Sequence, residues 1–365
     1  MPKARALPDD PVELRNPHPK KTHTPVVHGA AVLALVALLA APIALTAADQ
    51  SPRRTDFPVA AGDTDLPPAW PESVGVDSAP LVRLSEYIRK ENLDVRSFLV
   101  IKDGKLIFER YSQGLTRDYN YELYSPTDDP IYYGAPDRLK LAAETTPKRP
   151  PGAEFDYTDI NPILASATLG ADAGMPLQAF AELTIFKPLG MKHYAWERAD
   201  DKGLVSSGWG LRLRAVDMAK VGMLVLSGGR WNDRQIVSQA WARTMTAPAS
   251  APFYGLYWWI NDIVATEPEV HAMGFKGQFI VALPERNAVV VMTSMLPIEG
   301  GLRESKNVLA IRHMVNDFVL PALDNKAHVT LTDARRKALL HELELASRSQ
   351  GKPGAPVDPT DAPKL

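Results

Sequence analysis

The sequence predicts an α+β fold in which an antiparallel sheet is flanked by N- and C-terminal helices and carries a separate helical lobe. Three observations lead to this prediction. A helix and a β-hairpin open the ordered part of the chain, a second hairpin of β-branched residues lies near its end, and the middle contains helical segments separated by glycine and proline. Hairpins at the two ends can pair into one sheet, whereas the helices between them segregate into a layer of their own.

The N-terminal region predicts export. Residues 30–47 form an apolar run of Ala, Leu, Val and Ile that contains Pro42 and, near its end, Thr46, and Lys20 and Lys21 precede it. The run is apolar on all sides, so it is not an amphipathic core helix. Its length lies at the lower limit for spanning a bilayer and also suits the core of a signal peptide. Residues 30–48 are therefore predicted to be a signal peptide or a membrane anchor. Either one leaves residues 1–29 in the cytoplasm and places the remaining chain in the periplasm or another extracytoplasmic space, anchored in the inner membrane if the segment is kept.

Residues 49–71 are rich in Pro, Asp, Ala and Gly and predict a linker, with order beginning near Trp70. A helix is expected from Ser78 to Asn92, with Ser78 as N-cap and Pro80 in the first turn. The strands Ser97–Ile101 and Leu106–Tyr111 follow, joined by a turn that contains Asp-Gly.

The middle and end of the chain complete the predicted order of elements. Helices are expected at Pro176–Phe186 and Ala215–Leu226, a hairpin at Phe279–Leu283 and Ala288–Thr293, a helix at Leu302–Leu320, and another from Thr332. We therefore predict one domain at 72–324, with sheet parts near 72–124 and 254–324 and the helical lobe near 125–253. Residues 325–365 are expected to form a C-terminal helix and a disordered tail.

Composition argues against several classes of function. The formal net charge is −2 and no basic stripe is present, so no nucleic-acid partner is expected. The chain has no cysteine, which excludes disulfides and thiolate metal sites. Its eight histidines are scattered without metal-ligand spacing, and no glycine-rich phosphate loop occurs, so neither a metal nor another cofactor is predicted.

Eight local phrases occur in order along the chain: Ser73–Leu81, Phe98–Leu106, Glu122–Ser125, Pro151–Asp159, Phe186–Met191, Gly208–Arg212, Asp217–Gly222 and Gly274–Gln278. Together they resemble the penicillin-recognising serine hydrolases, a superfamily of β-lactamases, penicillin-binding proteins, esterases and 6-aminohexanoate-oligomer hydrolases. The resemblance extends from about Trp70 to Leu320 and is closest to the esterase and 6-aminohexanoate branch. It implies hydrolysis of small ester, amide or peptide substrates through an acyl-enzyme.

The resemblance places the nucleophile at Ser125. Family members carry Ser-x-x-Lys here, because the i, i+3 spacing puts hydroxyl and amine on one helix face, where a neutral lysine takes the serine proton. This chain has Asp128 in the lysine position, and a carboxylate lacks the required basicity at neutral pH. Asp129-Pro130 follows at once, so the helix that carries the motif in relatives looks deleted. The alternative is that Ser125 is a helix cap or loop hydroxyl, as Ser-Pro-x-Asp is a good helix start.

Two further elements are implied by the resemblance. Tyr157 corresponds to the family's Tyr-x-Asn tyrosine, with Asp159 in place of the asparagine and Asn161 as a possible substitute. Lys276, Gly277 and Gln278 enter a strand at the expected edge of the cleft, although the family's threonine is absent. The alternatives are a half-buried loop aromatic for Tyr157 and an ordinary turn lysine for Lys276.

Two nearby aromatic and histidine positions complete the candidate residues. Strand alternation sends one of Trp258 and Trp259 inward, and we take Trp258 as the residue that contacts substrate. His271 is expected to be an ordinary surface histidine.

Two functional hypotheses remain open. The first is an exported hydrolase that uses Ser125 and Tyr157 as catalytic residues. The second is a non-catalytic binding protein or a truncated remnant of the same fold, and it rests on Asp128 and the missing helix. A purely structural envelope protein is a third, more remote class. Loss of the nucleophile helix is also expected to lower stability by several kcal/mol, as large core deletions do.

Overall fold

A six-stranded antiparallel sheet forms the centre of the molecule. The structure, a computed structural model, describes residues 66–117, 120–121, 135–146, 150, 152–158, 160–196, 200–205, 208–297, 303–324 and 327–349. The strands in spatial order are β2 (Lys105–Tyr111), β1 (Val95–Lys102), β11 (Ala288–Ser294), β10 (Gln278–Leu283), β9 (Val270–Gly274) and β8 (Trp259–Ile260). The short strands β3 (Asn120–Tyr121), β5 (Leu211–Arg214) and β4 (Tyr194–Trp196) make a second sheet, and β6 (Arg230–Trp231) pairs with β7 (Arg234–Gln235).

Both predicted hairpins are present, and their turns explain why. Asp103 and Gly104 have φ values of 48° and 74°, as the two central residues of a type I′ turn require. The later hairpin turns through a 3₁₀ segment at Pro284–Arg286 and ends on Asn287 at φ 47°. Aspartate, asparagine and glycine are the residues that accept this left-handed backbone at least cost. Local sequence therefore fixes both turns.

The two hairpins join through β1 and β11, as the sequence predicts. The pairing is antiparallel, from Val95 opposite Ser294 to Lys102 opposite Ala288. The hydroxyl oxygens of Ser97 and Thr293 lie 2.6 Å apart across this pair, and both side chains are buried. Strands from the two ends of the domain are thus hydrogen-bonded neighbours in one sheet.

Helices cover the sheet and form the lobe between its two halves. The predicted α+β class, with terminal helices beside an antiparallel sheet, is confirmed. Helix α7 (Lys306–Met314) continues through a π-helical turn, Val315–Val319, and α4 (Leu177–Ala181) through another, Glu182–Phe186. The helices are α1 (Ser78–Lys90), α2 (Arg138–Glu144), α3 (Ile160–Ala173), α4 (Leu177–Ala181), α5 (Ala215–Leu226), α6 (Gln239–Met245), α7 (Lys306–Met314), α8 (Leu320–Leu323) and α9 (Asp333–Ser347).

Several predicted helix ends need correction. The N-cap of α1 is Asp77, whose carboxylate accepts the backbone N–H of Ala79 at 2.9 Å, and not Ser78. Helix α7 begins at Lys306, later than the predicted Leu302, because residues 303–305 form a turn that ends on the cap Ser305. Helix α9 begins at Asp333, one residue after the predicted start, and Thr332 is its N-cap, whose hydroxyl accepts the Arg335 N–H at 3.2 Å.

The terminal helices are tied to the sheet by a buried polar network. Arg110 of β2 is 1% exposed and donates to the Ser85 hydroxyl at 3.0 Å. That hydroxyl donates to Glu342 of α9 at 3.1 Å, and Arg89 of α1 pairs with the same carboxylate at 2.9 Å. Helix α9 therefore packs as part of the domain, together with α1 and β2. At the other end, Leu66 is already buried, and Pro68 bridges to Leu106, so order begins before Trp70.

Helix α5 lies against the centre of the sheet, and Gly222 sets the distance. A Cβ at this position would lie 2.7 Å from Val289 Cγ1 and 2.8 Å from Ile280 Cγ2. Every residue from Ala215 to Val225 is buried, including Asp217 and Lys220. A glycine at the contact lets the helix approach β10 and β11 more closely than any side chain would allow.

The N-terminal apolar run lies outside the described residues. Among the helices that the structure describes, none has the length and hydropathy needed to cross a bilayer. The predicted export segment therefore stays a prediction from sequence.

We predict that Asp217→Asn destabilises the fold by about 3–5 kcal/mol. Asp217 is 0% exposed, and it binds Arg214 Nε at 2.7 Å and Lys220 Nζ at 2.9 Å. The amide would remove the negative charge that lies between these two buried cations. Urea unfolding measures the change. The matched control is Asp233→Asn, whose side chain is 99% exposed and 4.0 Å from Arg230, and we expect it to change stability by less than about 0.5 kcal/mol. Equal effects of the two substitutions would contradict the prediction.

Candidate active site

Tyr157 lies in a cluster of aromatic rings at the β8 edge of the sheet. The half-buried ring stands 5.5 Å from that of Trp259 in β8 and 6.0 Å, nearly perpendicular, from that of Tyr254. Phe155 packs edge-on against Phe253 at 5.4 Å. The loop that precedes α3 is therefore held to the sheet edge by ring contacts, in the offset and edge-to-face arrangements that aromatic pairs prefer. We call Phe155, Tyr157, Phe253, Tyr254 and Trp259 the ring cluster.

The turn that carries Lys276 and Gly277 joins β9 to β10. Lys276 has a φ of 57° and Gly277 a φ of 97°. A Cβ on Gly277 would lie 2.2 Å from the Ser294 hydroxyl, so only glycine fits. The Ser294 hydroxyl donates to the Lys276 carbonyl at 2.6 Å, and the Lys276 ammonium lies 5.3 Å from the ring centre of Phe275. The turn is thus rigid in its backbone, with a half-buried cation on its surface.

Gln278 serves as a clamp on this turn. Its Nε2 donates to the carbonyl oxygens of Ser294 at 2.6 Å and Phe275 at 3.2 Å, and the residue is 4% exposed. Its Oε1 is buried and has no hydrogen-bond partner within the part of the chain that the structure describes. Contact of Lys276, Gly277 and Gln278 with substrate remains a prediction.

The prediction for His271 is wrong, because this histidine is 0% exposed in β9. Its Nδ1 lies 3.0 Å from Glu269 Oε2, and Glu269 is also buried. The other oxygen of Glu269 accepts the backbone N–H groups of Asp262 and Ile263 at 2.6 and 2.8 Å. The carboxylate thus holds the 262–263 loop and the imidazole together. A signal was present in the sequence: Glu269 and His271 are two apart, so they share one face of the strand.

Trp259, and not Trp258, faces Tyr157. Trp258 has no exposed surface, and its indole Nε1 is buried without a hydrogen-bond partner among the described residues. It therefore packs in the interior in this conformation, and its contact with substrate stays a prediction. The ring of Trp259 stacks on that of His271, with ring centres 6.4 Å apart, and also contacts the ring of Tyr157. Alternation predicts that the two side chains diverge but does not say which one points where.

Ser125, Asp128 and Asp159 lie outside the described residues, so their predicted roles are not tested by the geometry. Asn161 is exposed at the start of α3. The structure brings Tyr157 to β8, which pairs with β9 through Trp259 and His271. Strand β9 then leads directly into the turn of Lys276. Tyr157 thus contacts the edge strand β8, whereas Lys276 lies in the turn after the neighbouring strand β9.

Within the described ranges, no group of three or more histidine, aspartate or glutamate side chains is arranged to hold a metal ion. The site there consists of aromatic, amide and ammonium groups. Such groups bind, orient and donate hydrogen bonds.

Comparison with known proteins gives a consistent picture. A family model described as "Beta-lactamase" matches residues 111–312, more than half of the 365-residue chain. No curated protein sequence matches the chain. Among solved structures, a candidate 6-aminohexanoate-dimer hydrolase from Bacillus anthracis has a TM-score of 0.56 at 15% identity, covering 68% of this chain and 83% of that one.

Two further structures are similar in fold. A candidate β-lactamase from Bacteroides dorei DSM 17855 has a TM-score of 0.53 at 15% identity, over 68% of this chain and 99% of that one. EstCE1, a hydrolase with promiscuous acyltransferase activity, has a TM-score of 0.50 at 15% identity, over 67% and 99%. At this identity the likeness concerns the fold alone.

We predict that stability falls with alkaline pH, partly through Tyr257. Burial raises the pKa of Tyr257 to about 12 and raises that of Tyr254 as well. In the unfolded chain the pKa of a tyrosine is about 10. Between these values the unfolded chain releases a proton that the folded one keeps, so folding stability, complete below pH 10, declines toward pH 12. The slope is up to about 1.4 kcal/mol per pH unit for each tyrosine. Tyr257→Phe should reduce this slope in urea unfolding between pH 9 and 12, and equal slopes would contradict the assignment.

Proposed function

The chain belongs to the β-lactamase family, and from this premise we propose that it is an exported serine hydrolase homologue, of esterase or amidase type, with impaired activity. The observation that carries the proposal is the position of Tyr157. The loop that resembles the family's second motif lies against the β8 edge, on the sheet that also bears the Lys276 turn. Small ester, amide or peptide substrates suit such a site, because Tyr157 and Lys276 offer hydrogen bonds to a carbonyl and its leaving group.

Impairment follows from the chemistry of the nucleophile segment. Ser125 needs a base to accept its proton, and the residue three positions on is Asp128. A carboxylate is a far weaker base than a neutral amine at pH 7, and a base in this position contributes about 10²–10⁴-fold in rate. The proposed activity is therefore an acyl transfer to Ser125 that proceeds slowly. The names of similar structures, a 6-aminohexanoate-dimer hydrolase and a β-lactamase among them, agree with amide substrates.

A second candidate function is a non-catalytic binding protein of the same fold. It is favoured by Asp128 and by the apparent loss of the nucleophile helix, which together remove the base and its support. Such a protein would keep a substrate-sized site and lose only turnover.

Covalent labelling with a fluorophosphonate probe decides between these two functions. We expect slow labelling of the full-length chain, none for Ser125→Ala, and a rise of about tenfold or more for Asp128→Lys, which restores the amine. The matched control is Ser349→Ala, because Ser349 and Lys352 make the one literal Ser-x-x-Lys of the sequence, in the C-terminal tail. Its labelling should equal that of the parent.

The outcomes are distinct. If neither the folded parent chain nor the folded Asp128→Lys variant is labelled, the hydrolase proposal is overturned and the binding protein remains. Labelling that survives in Ser125→Ala but disappears in Ser349→Ala would move the nucleophile to the tail.

The export part of the proposal has its own test. Residues 30–47 follow Lys20 and Lys21, which is the charge order of a segment that inserts with its N-terminus in the cytoplasm. We expect the chain, expressed with a C-terminal tag, in the periplasmic or membrane fraction. Replacing Leu35 and Leu38 with arginine should retain it in the cytoplasm, since each arginine in a spanning segment costs about 2.5–3.5 kcal/mol. Valine at the same positions is the control. Cytoplasmic recovery of the parent chain would refute export.

A further inference from the structure

We propose that His271 is a positioning residue for Tyr157, that it acts through Trp259, and that Glu269 holds its imidazole in place. The inference rests on the proposed function, because it names what keeps the tyrosine of that site where it is. It assigns His271 no contact with substrate.

The indole of Trp259 connects His271 to Tyr157. Trp259 in β8 lies directly opposite His271 in β9, so the two side chains stand on one face of the sheet. Their rings are nearly parallel, at 17° and 6.4 Å, and the Trp259 ring lies 5.5 Å from that of Tyr157. Trp259 is buried, and a close-packed ring has no free volume into which it could turn alone. A shift of the imidazole is therefore passed on to the ring of Tyr157.

Glu269 fixes the orientation of the imidazole. Its Oε2 lies 3.0 Å from Nδ1 of His271, and its Oε1 accepts the backbone N–H groups of Asp262 and Ile263. An ionised carboxylate only accepts hydrogen bonds, so Nδ1 is the imidazole nitrogen that carries a proton. Because the carboxylate is buried and bound to two backbone groups, it is itself held in place.

The pair with Glu269 is the one hydrogen bond of the imidazole within the residues that the structure describes. Its Nε2 is buried and has no partner there, and the ring that lies beside it from β10, that of Phe279 at 6.2 Å, is apolar. The other residues of β9 are apolar too. A hydrocarbon side chain would fill this space without the cost of burying polar groups. A buried histidine and carboxylate in such a strand therefore indicate that the direction of the ring matters.

Fluorine NMR of the full-length chain labelled with 3-fluorotyrosine reads the position of Tyr157 without any need for catalysis. Tyr157→Phe assigns the resonance by removing it. His271→Phe keeps a ring and loses the hydrogen bond, so we expect it to move the Tyr157 resonance by more than its linewidth. Glu269→Gln, which keeps the shape of the carboxylate and loses its charge, should move the resonance as well. An unchanged Tyr157 resonance in both folded variants would overturn the proposal.

His313 supplies the matched control. Its Nδ1 pairs with Asp317, and its ring packs edge-on against that of Tyr87 at 4.7 Å, so it also has a carboxylate and an aromatic neighbour. His313→Phe should move the Tyr87 resonance and leave that of Tyr157 in place. A Tyr157 shift as large as the one in His271→Phe would reveal a general loosening of the fold and contradict the assignment.

Nitrogen NMR of the histidine rings tests the hydrogen bond itself. We expect a proton on Nδ1 of His271 in the parent chain, with the signals assigned by their loss in His271→Phe. An unprotonated Nδ1 would refute the orientation by Glu269.

The rate of fluorophosphonate labelling separates positioning from a loss of stability. His271→Phe should slow the labelling of Ser125 several-fold, since small displacements of a catalytic group are costly. In a chain that already carries Tyr157→Phe it should slow labelling no further, because it acts through that ring. Losses that multiply in the double variant would contradict the proposal.

The outcome is separable from that of the proposed function. A Tyr157 resonance that responds to His271→Phe in a parent chain that is never labelled leaves the positioning intact in a non-catalytic protein. Labelling at Ser125 with a Tyr157 resonance that does not respond leaves the hydrolase and removes the positioning role.

Discussion

The pairing of β1 with β11 is the constraint on which the rest of the structure depends. It joins residues nearly two hundred positions apart, from Val95 opposite Ser294 to Lys102 opposite Ala288. Each hairpin forms through a local turn, but neither has a complete sheet without the other. Closing so long a loop costs little more entropy than closing one of moderate length, since the cost grows only with the logarithm of length. The intervening chain can therefore build a lobe of its own while its ends remain fixed at the sheet.

The sequence predicted the elements that depend on local chemistry. Asp103-Gly104 marked one turn, Thr332 marked the start of α9, and the limits of α5 were predicted to the residue, because these signals act over a few neighbouring positions. The π-helical continuation after α7 was not predicted, because it is set by tertiary contacts, which override weak local preferences. A strand at Trp258 and Trp259 was predicted, but without the bounds of β8.

The candidate site shows the same division. Tyr157 was identified through a phrase of sequence, but its ring partners come from a hairpin about one hundred residues later, and no periodicity reveals that contact. His271 was expected at the surface because a charged or polar residue usually is. In β9 both faces are covered, so the histidine is buried and Glu269 supplies its partner. The one clue in the sequence was that Glu269 and His271 are two positions apart beside apolar residues. That spacing indicates a buried pair only when the strand is covered on both faces.

Fold and catalysis are carried by different parts of this chain. The sheet, α5 and the terminal helices are held by contacts such as Gly222 against Val289 and Glu342 against Arg89, none of which involves the nucleophile segment. The loss of a base at Asp128 that we propose would remove chemistry without removing any of these contacts. Similarity at 15% identity reports on the same framework, which is why it establishes the fold and leaves turnover to be decided by Ser125 and its neighbours. A family member that loses the base can keep the residues that line its site. The ring cluster at β8 is held by contacts within this framework, which do not depend on the base.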